Sequence, residues 1–511
     1  MDAKEEDVSN GVQRIALTHW LQSNEKGSTD LFSRTCQREL WNEVYAYLEA
    51  THNGHAMITG NPGIGKSRSM TYLLRVLLQN GKTVIYQARK DDRVYVFVPP
   101  NGHRTGSEYK VWGSNLSTWA PGGCLVAQNA NHYCLIDPDL PAAIVGISSH
   151  IVLSASPNPD HFKEFLKLQK AITWCMPIWK KQELKVLQPY LEIENNVKLT
   201  DVEFEARYFD FGGRIRFLYA TQPKFKNNWT LLKTSIRKLG LSELTKALAY
   251  EVIEMSQSDK GTPSMLFVYD VLGEPSTYSS ITYKYLQEEG NMKVLIASER
   301  VRQLLCANYW NEIMNVLNPN SFAYSGNATS NGRLFELVSR VYLEFEVKLD
   351  ARSDSKNIDH QFQVPEGKRR EVGGSWDQYL VECSKLQTSS SITSGPRDIV
   401  SPKATNQPVL DMMDACDRAY QFAVGKEHGV NLIHLQTIVQ ILKLTPQDPL
   451  KLYFVIPEFN VSEFKWKFDG QSKIGKKSSN FVKSCVKIYM ICVPKDPYWK
   501  IQEMIEMLKA K

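Results

Sequence analysis

The octet Gly60-Asn61-Pro62-Gly63-Ile64-Gly65-Lys66-Ser67 constrains this chain more than any other stretch. It satisfies the pattern G-x-x-x-x-G-K-[ST] in full. A short apolar run, His55–Thr59, precedes it, and a run of helical periodicity, Ser69–Gln79, follows it. Glycines at these places permit positive φ and let backbone N–H groups close around a phosphate. The start of the helix adds its positive end. In such a loop the lysine, here Lys66, reaches the β- and γ-phosphates, and the hydroxyl of Ser67 ligates Mg²⁺. The expectation is a nucleotide site holding ATP and Mg²⁺ on residues 60–67.

Alternating apolar runs extend the pattern. Lys82–Tyr86, Arg93–Val98, Tyr133–Ile136 and His150–Ala155 read as strands. With the amphipathic run Cys36–Leu48 and the helix after the loop, they predict a three-layer α/β sheet. Asp137 ends the run Tyr133-Cys134-Leu135-Ile136, where a carboxylate would hold Mg²⁺ through water; the competing reading is an Asp that opens a turn before Pro138. Glu is missing directly after it, and Asp139 is the candidate for orienting the attacking water. Ser154 or Ser156 would sense the γ-phosphate, or simply cap a strand end. Residues 160–255 read as mainly helical, including Phe162–Ile172 and Leu231–Met255. Ser264–Val271 reads as a strand and Lys293–Leu317 as a helix.

Hydrophobic residues make up 42 % and charged residues 23 % of the 511, which excludes disordered, collagen-like and coiled-coil chains. The net charge of +6 does not by itself imply a nucleic-acid partner. It is concentrated, however. Seven lysines and one acid, Asp469, fall between Lys465 and Lys487, beside Phe464, Trp466, Phe468 and Phe481. This is either a phosphate-tracking surface or a solvated lysine-rich hairpin. Nine scattered cysteines without a CxxC pair argue against a disulfide framework or a zinc module and fit a reducing compartment. The acidic start does not read as a signal peptide, and no apolar run approaches the ~20 residues that span a bilayer. No membrane association is expected.

The loop with its helix, SMTYLLRVLL, resembles the P-loop domain shared by Crinkler effectors and retrotransposon hot spot proteins. Further stretches match: LSASPNP (153–159), TWCMPIWKKQELKVL (173–187), RYFDFGGRIRFLY (207–219) and VLIASERVRQLL (294–305). The resemblance spans roughly residues 36 to 320. By position it makes Arg207, Arg214 or Arg216 the candidate for stabilising γ-phosphate charge, against plain pairing with surface acids. The N-terminal translocation motif of oomycete Crinklers is absent from the sequence.

Proteins of this kind often end in a restriction-endonuclease-like domain. That chemistry uses a helix-borne Glu, a strand-borne Asp, and then Glu or Gln with Lys on the next strand, the acids holding Mg²⁺. Here Glu336 lies in GRLFELVSRVYLE, and Asp411 and Gln421 in PVLDMMDACDRAYQFAV. His428 follows, and LKLYFVIPEF (451–460) resembles the closing strand. Ala423 stands where the family carries Thr and an ordinary enzyme carries Lys; Lys426 is the nearest substitute. Val409–Arg418 reads as helix-like, and the Ser/Thr/Pro-rich stretch 384–408 as a loop.

The expected organisation is a polar lead-in (1–35), a P-loop NTPase core (36–160), a helical extension and linker (161–320), and a smaller restriction-endonuclease-like α/β domain (321–511). The resemblance implies an ATPase whose ATP-driven change governs a Mg²⁺-dependent, DNA-directed nuclease. Such a protein would be an effector acting in a nucleus, in its own cell or after delivery to a host, with self-association to complete the ATPase site. The alternative is a non-catalytic binder of nucleic acid or protein with a degenerate nuclease domain, which Ala423 favours.

Overall fold

The computed structural model describes the chain apart from residues 1–3, 10–11, 17–29, 88–92, 100–108, 116–125, 138–146, 156–164, 169–170, 249–264, 272, 277–279, 284–291, 321–327, 346, 354–357, 365–366, 373–379, 382, 384–396, 403–410, 415–417, 426, 471–475, 497–498 and 510–511. Asp139, Ser156 and Lys426 lie outside the described residues. The chain is mixed α/β and forms two compact units. One comprises Met1–Lys238, Tyr250–Leu272 and Tyr283–Val301; the other comprises Leu239–Ala249, Gly273–Thr282 and Arg302–Lys511. Among the described residues no helix is long and apolar enough to cross a membrane, and no cysteine pairs in a disulfide.

The first unit opens on β1 (Lys4–Ser9), β2 (Val12–Ala16) and β3 (Asp30–Arg34), an antiparallel sheet in that order. The segment is therefore not the loose lead-in that its polarity suggests: Val12, Ile15 and Leu31 are buried. Helix α1 (Thr35–Ala50) follows, burying Cys36, Leu40, Trp41, Val44 and Leu48 at helical spacing. Next come β4 (His55–Thr59), α2 (Lys66–Gln79), β5 (Val84–Gln87), β6 (Arg93–Val98), β7 (Lys110–Asn115), β8 (Tyr133–Ile136), β9 (His150–Ser154) and β10 (Ala171–Cys175).

Seven strands make one sheet in the order β10-β4-β9-β8-β5-β6-β7. The five from β10 to β5 are parallel, and β6 and β7 extend the sheet antiparallel. β4, β8 and β9 are buried at every position, as expected for parallel strands covered on both faces. β10 overturns part of the helix expected over 162–172. Phe165–Lys167 is a single 3₁₀ turn, and Ala171–Cys175 pairs parallel with β4. Ile172, Thr173 and Trp174 are β-branched or aromatic, and a half-open sheet edge beside β4 outweighs the weak helical periodicity.

Helices α3 (Lys181–Asn195), α4 (Asp201–Phe211), α5 (Ile215–Leu218) and α6 (Gln222–Lys238) complete this region. The single helix expected over 231–255 is broken. α6 ends at Lys238, and a separate helix, Leu241–Leu248, begins after Gly240. The helix expected from Lys293 starts only at Glu299, because Met292–Ile296 is a strand paired antiparallel with Phe267–Val271.

The second unit holds a six-stranded sheet in the order Gly367–Val372, Arg397–Pro402, Met412–Asp414, Arg418–Phe422, Leu450–Pro457, Val486–Val493. The last three strands are parallel, and Tyr420, Tyr453 and Tyr489 stack in register across them at 5.7 and 5.4 Å. The helix-like reading of 409–418 is overturned: Met412–Asp414 pairs antiparallel with Arg418–Phe422, with Met412 and Met413 both buried. Arg397–Pro402 is likewise a strand inside the expected loop. The lysine-rich stretch is no hairpin. Lys465–Asp469 pairs parallel with Glu427–Asn431, and Lys476–Ser484 is a helix. Alternation turns Lys465, Lys467 and Asp469 outward while Trp466 and Phe468 pack on the core.

Candidate functional site

The loop leaving β4 has the backbone that its glycines permit. Gly60, Gly63 and Gly65 have φ of 142°, 82° and 95°. A Cβ on Gly60 would lie 2.8 Å from the Met176 carbonyl oxygen, so the position requires glycine for space as well as for φ. Gly65 is the left-handed N-cap of α2, with nothing within 4 Å of the place a Cβ would occupy. Helix geometry leaves the first N–H groups of α2 without intrahelical acceptors. The helix ladder opens with Ser69 N–H donating to Gly65 O at 2.9 Å. Lys66 Nζ donates to Gly60 O (2.6 Å) and Asn61 O (3.0 Å), folding over the loop. Ser67 is half-buried in the first turn. Positive-φ glycines with a lysine and a serine opening the helix are the residue types that would hold a triphosphate with Mg²⁺.

Asp137 follows β8 directly, is 3 % exposed and donates its N–H to Gln87 O at 3.0 Å. The registers Ile136↔Leu153 and Ile58↔Ser154 bring Asp137 level with Ser154 and with the end of β4. Asp137 thus lies at the same sheet edge as the loop, two strand spacings or about 10 Å away. This is the carboxyl edge of a parallel sheet beside the loop strand, where α/β folds hold ligands.

The three candidate arginines separate clearly. Arg207 is buried and donates to Leu218 O (2.7 Å) and Ala220 O (2.9 Å). Arg214 is fully buried, donates to Phe211 O (2.9 Å) and stacks on Phe217, and burial lowers its pKa to about 9. Both brace α4 and α5. Arg216 is exposed, and its Cβ would lie 2.7 Å from a Cβ on Gly63, so its backbone sits directly against the glycine-rich loop.

Sequence reasoning missed the wall that holds the loop. Met176 N–H donates to Thr59 O (2.9 Å), and Trp179 Nε1–H donates to Ile64 O (2.7 Å) inside the loop. The Trp179 backbone N–H donates to Gly213 O (3.2 Å), and a Cβ on Gly213 would fall 1.9 Å from Trp179 O. Arg34 stacks on the Trp179 ring at 4.3 Å and donates to Pro177 O and Ile178 O at 2.7 and 2.8 Å. The only signal in the sequence was the tryptophan-rich stretch itself. Trp179→Phe keeps an aromatic face but removes the buried donor to Ile64 O. The expected cost is about 1–3 kcal/mol, read as a lower midpoint in thermal denaturation.

In the second unit Glu336 lies on the helix Ala328–Glu344 and pairs with Arg340, one turn on. Asp411 is buried; its Oδ2 accepts from Gln421 Nε2 (2.8 Å) and from Phe422 N–H (2.7 Å). Burial, then the charge of Glu336, push its pKa up to about 7, against the Phe422 N–H and Arg340. Glu336, Asp411 and Gln421 are therefore brought together. Gln421 Oε1 is buried with no hydrogen-bond partner among the described residues. Two carboxylates and this oxygen are a hard donor set that suits Mg²⁺, although no group of three His, Cys, Asp or Glu metal-ligand candidates occurs among the described residues. Ala423 is enclosed in the apolar core. His428 packs its ring on Phe454 at 5.1 Å, and burial lowers its pKa.

No protein-family profile matches the chain. Crinkler effector protein 16 of Phytophthora infestans is 21 % identical over 428 residues, covering 80 % of this chain and 60 % of that protein. Crinkler effector protein 15 of the same organism is 27 % identical over 147 residues, 26 % of this chain and 20 % of its own length. The chain thus spans about three-fifths of one relative and one-fifth of the other. Its sequence is thus weakly similar to those of two Crinkler effector proteins.

Proposed function

We propose that this chain is an effector protein in which an ATP-binding P-loop unit governs a Mg²⁺-dependent, DNA-directed nuclease-like unit, acting in a nucleus. The observation that carries the ATP reading is the agreement of two parts far apart in sequence. Positive-φ glycines with Lys66 and Ser67 form the loop, and Asp137 lies level with it at the same sheet edge. Gly60, Asn61, Pro62, Gly63, Ile64 and Gly65 would wrap the phosphates, Lys66 would neutralise them, and Ser67 and Asp137 would hold Mg²⁺. Bound Mg²⁺ supplies charge stabilisation on the γ-phosphate.

Arg216 is the in-chain cation for that phosphate. Arg216→Ala is expected to lower ATP turnover about 10²-fold while leaving ATP binding close to wild type. Steady-state turnover beside equilibrium binding of a fluorescent ATP analogue separates the two effects.

For the second unit, Glu336 and Asp411 would hold Mg²⁺ with Gln421 completing the oxygen set. The exposed Lys465, Lys467, Lys476, Lys477 and Lys487 would track the DNA backbone. The effector assignment rests on the relatives' names. The test is cleavage of plasmid DNA by the full chain in Mg²⁺, with and without ATP. Cleavage that ATP changes supports the coupled reading. ATP turnover with DNA binding and no cleavage supports the non-catalytic binder, for which the buried Ala423 speaks.

A further inference from the structure

The position that carries the strand lysine in ordinary enzymes of this architecture holds no cation here. Ala423 shares the face of Ala419 and Gln421, and its methyl is sealed in the apolar core with Leu432, Phe454 and Ile456. A nuclease-like centre of two carboxylates needs a positive group to meet the phosphate. Arg340 stands in the right place, on the neighbouring helix. It pairs with Glu336, lies 6.0 Å from the Phe422 ring centroid, and acts electrostatically on Asp411. It is also incompletely used. Arg340 is 7 % exposed, and its Nε–H is buried with no acceptor among the described residues. Gln421 Oε1, in the same centre, is a buried acceptor with no donor among them. A buried donor and a buried acceptor both left open are costly in a closed core. They make sense in a site built to take an anion and a cation together.

We infer that Arg340, supplied from the helix, is the phosphate-binding cation of this centre in place of the missing strand lysine. The inference rests on the nuclease-like reading of the second unit. Glu336, when it ligates a divalent cation, no longer needs the guanidinium, which is then placed to face a phosphodiester oxygen. In hydrolysis the oxygen of water bonds to phosphorus and the bond to one ester oxygen breaks. One proton of the water ends on that leaving oxygen, through solvent. The part of Arg340 is to hold charge on the non-bridging oxygens.

The test uses the full-length chain and the variants Arg340→Ala, Arg340→Lys and Asp411→Asn, with thermal melts to establish folding. The first readout is affinity for a fluorescent DNA duplex over a range of salt, with Ca²⁺ in place of Mg²⁺ to occupy Glu336 and a gel to show that the duplex stays intact. Arg340→Ala is expected to weaken binding and to reduce the slope of log affinity against log salt by about 1, with Arg340→Lys keeping the slope. The second readout is plasmid cleavage in Mg²⁺, expected to fall about 10²-fold in Arg340→Ala and less in Arg340→Lys. An unchanged salt slope in a folded Arg340→Ala overturns the inference, even if cleavage is lost, because the residue would then only position Glu336. A wild type that never cleaves defeats the nuclease reading instead, and the salt slope still decides whether Arg340 meets a phosphate.

Discussion

Lys66→Ala is expected to abolish ATP turnover, by about 10³-fold, and to weaken ATP binding as well. The side chain already bends over the loop, donating to Gly60 O and Asn61 O. With phosphate present, its ammonium exchanges these neutral acceptors for charged oxygens, a stronger hydrogen bond. That charge is needed more as the γ-phosphate separates than in the ground state, so turnover should suffer beyond binding. The fold should be retained. Lys66 is half-buried at the start of α2, and alanine is a good helix former there. Circular dichroism should therefore match wild type and the thermal midpoint should fall only by what two part-buried hydrogen bonds contribute, which separates loss of chemistry from loss of structure. Retention of turnover in a folded Lys66→Ala would remove the ATPase from the proposal.

The parts of this protein that were legible in the sequence are those whose physics is local. The loop declares itself because its glycines serve backbone conformations a few residues wide. β4, β8 and β9 declare themselves because strands buried on both faces need unbroken apolar runs. β10 was hidden because Ala171–Cys175 follows Phe165 and Leu168, whose spacing mimics one helical turn. Only its pairing with β4, more than a hundred residues earlier, makes it a strand. The same distance concealed the wall of the loop. Trp179 reaches Ile64 across 115 positions and Arg34 reaches Pro177 across 143, and no local pattern announces either bond. Choosing among Arg207, Arg214 and Arg216 needed the fold, since only burial tells a brace from an exposed cation. In the second unit Asp411 and Gln421, ten positions apart, were legible as a motif and are hydrogen-bonded. Arg340 belongs to no such motif, although its i,i+4 relation to Glu336 is readable on any helix.

Asp411→Asn carries the other large expected effect and tests the second unit by a split between activity and stability. Asparagine keeps an oxygen able to accept from Phe422 N–H but removes the charge that would bind Mg²⁺. Cleavage should therefore fall by about 10²-fold or more. Stability should move the other way. In the folded chain burial and Glu336 raise the Asp411 pKa to about 7, whereas the unfolded chain releases that proton near 4. Between these values the folded state binds the extra proton, so this group makes stability fall as pH rises from about 4 to about 7. Above the folded pKa the penalty is at its full size, and below the unfolded pKa it vanishes. The asparagine side chain has no such proton to lose. In metal-free buffer the wild-type melting midpoint should decline across that window more steeply than that of the variant, and at about pH 7.5 the variant should be at least as stable as wild type. A dead but destabilised Asp411→Asn would mean that the carboxylate holds the Gln421 and Phe422 strand in place. A dead and stable one would mean that the chain keeps a buried charge at a cost to its own fold, which only a bound cation can offset.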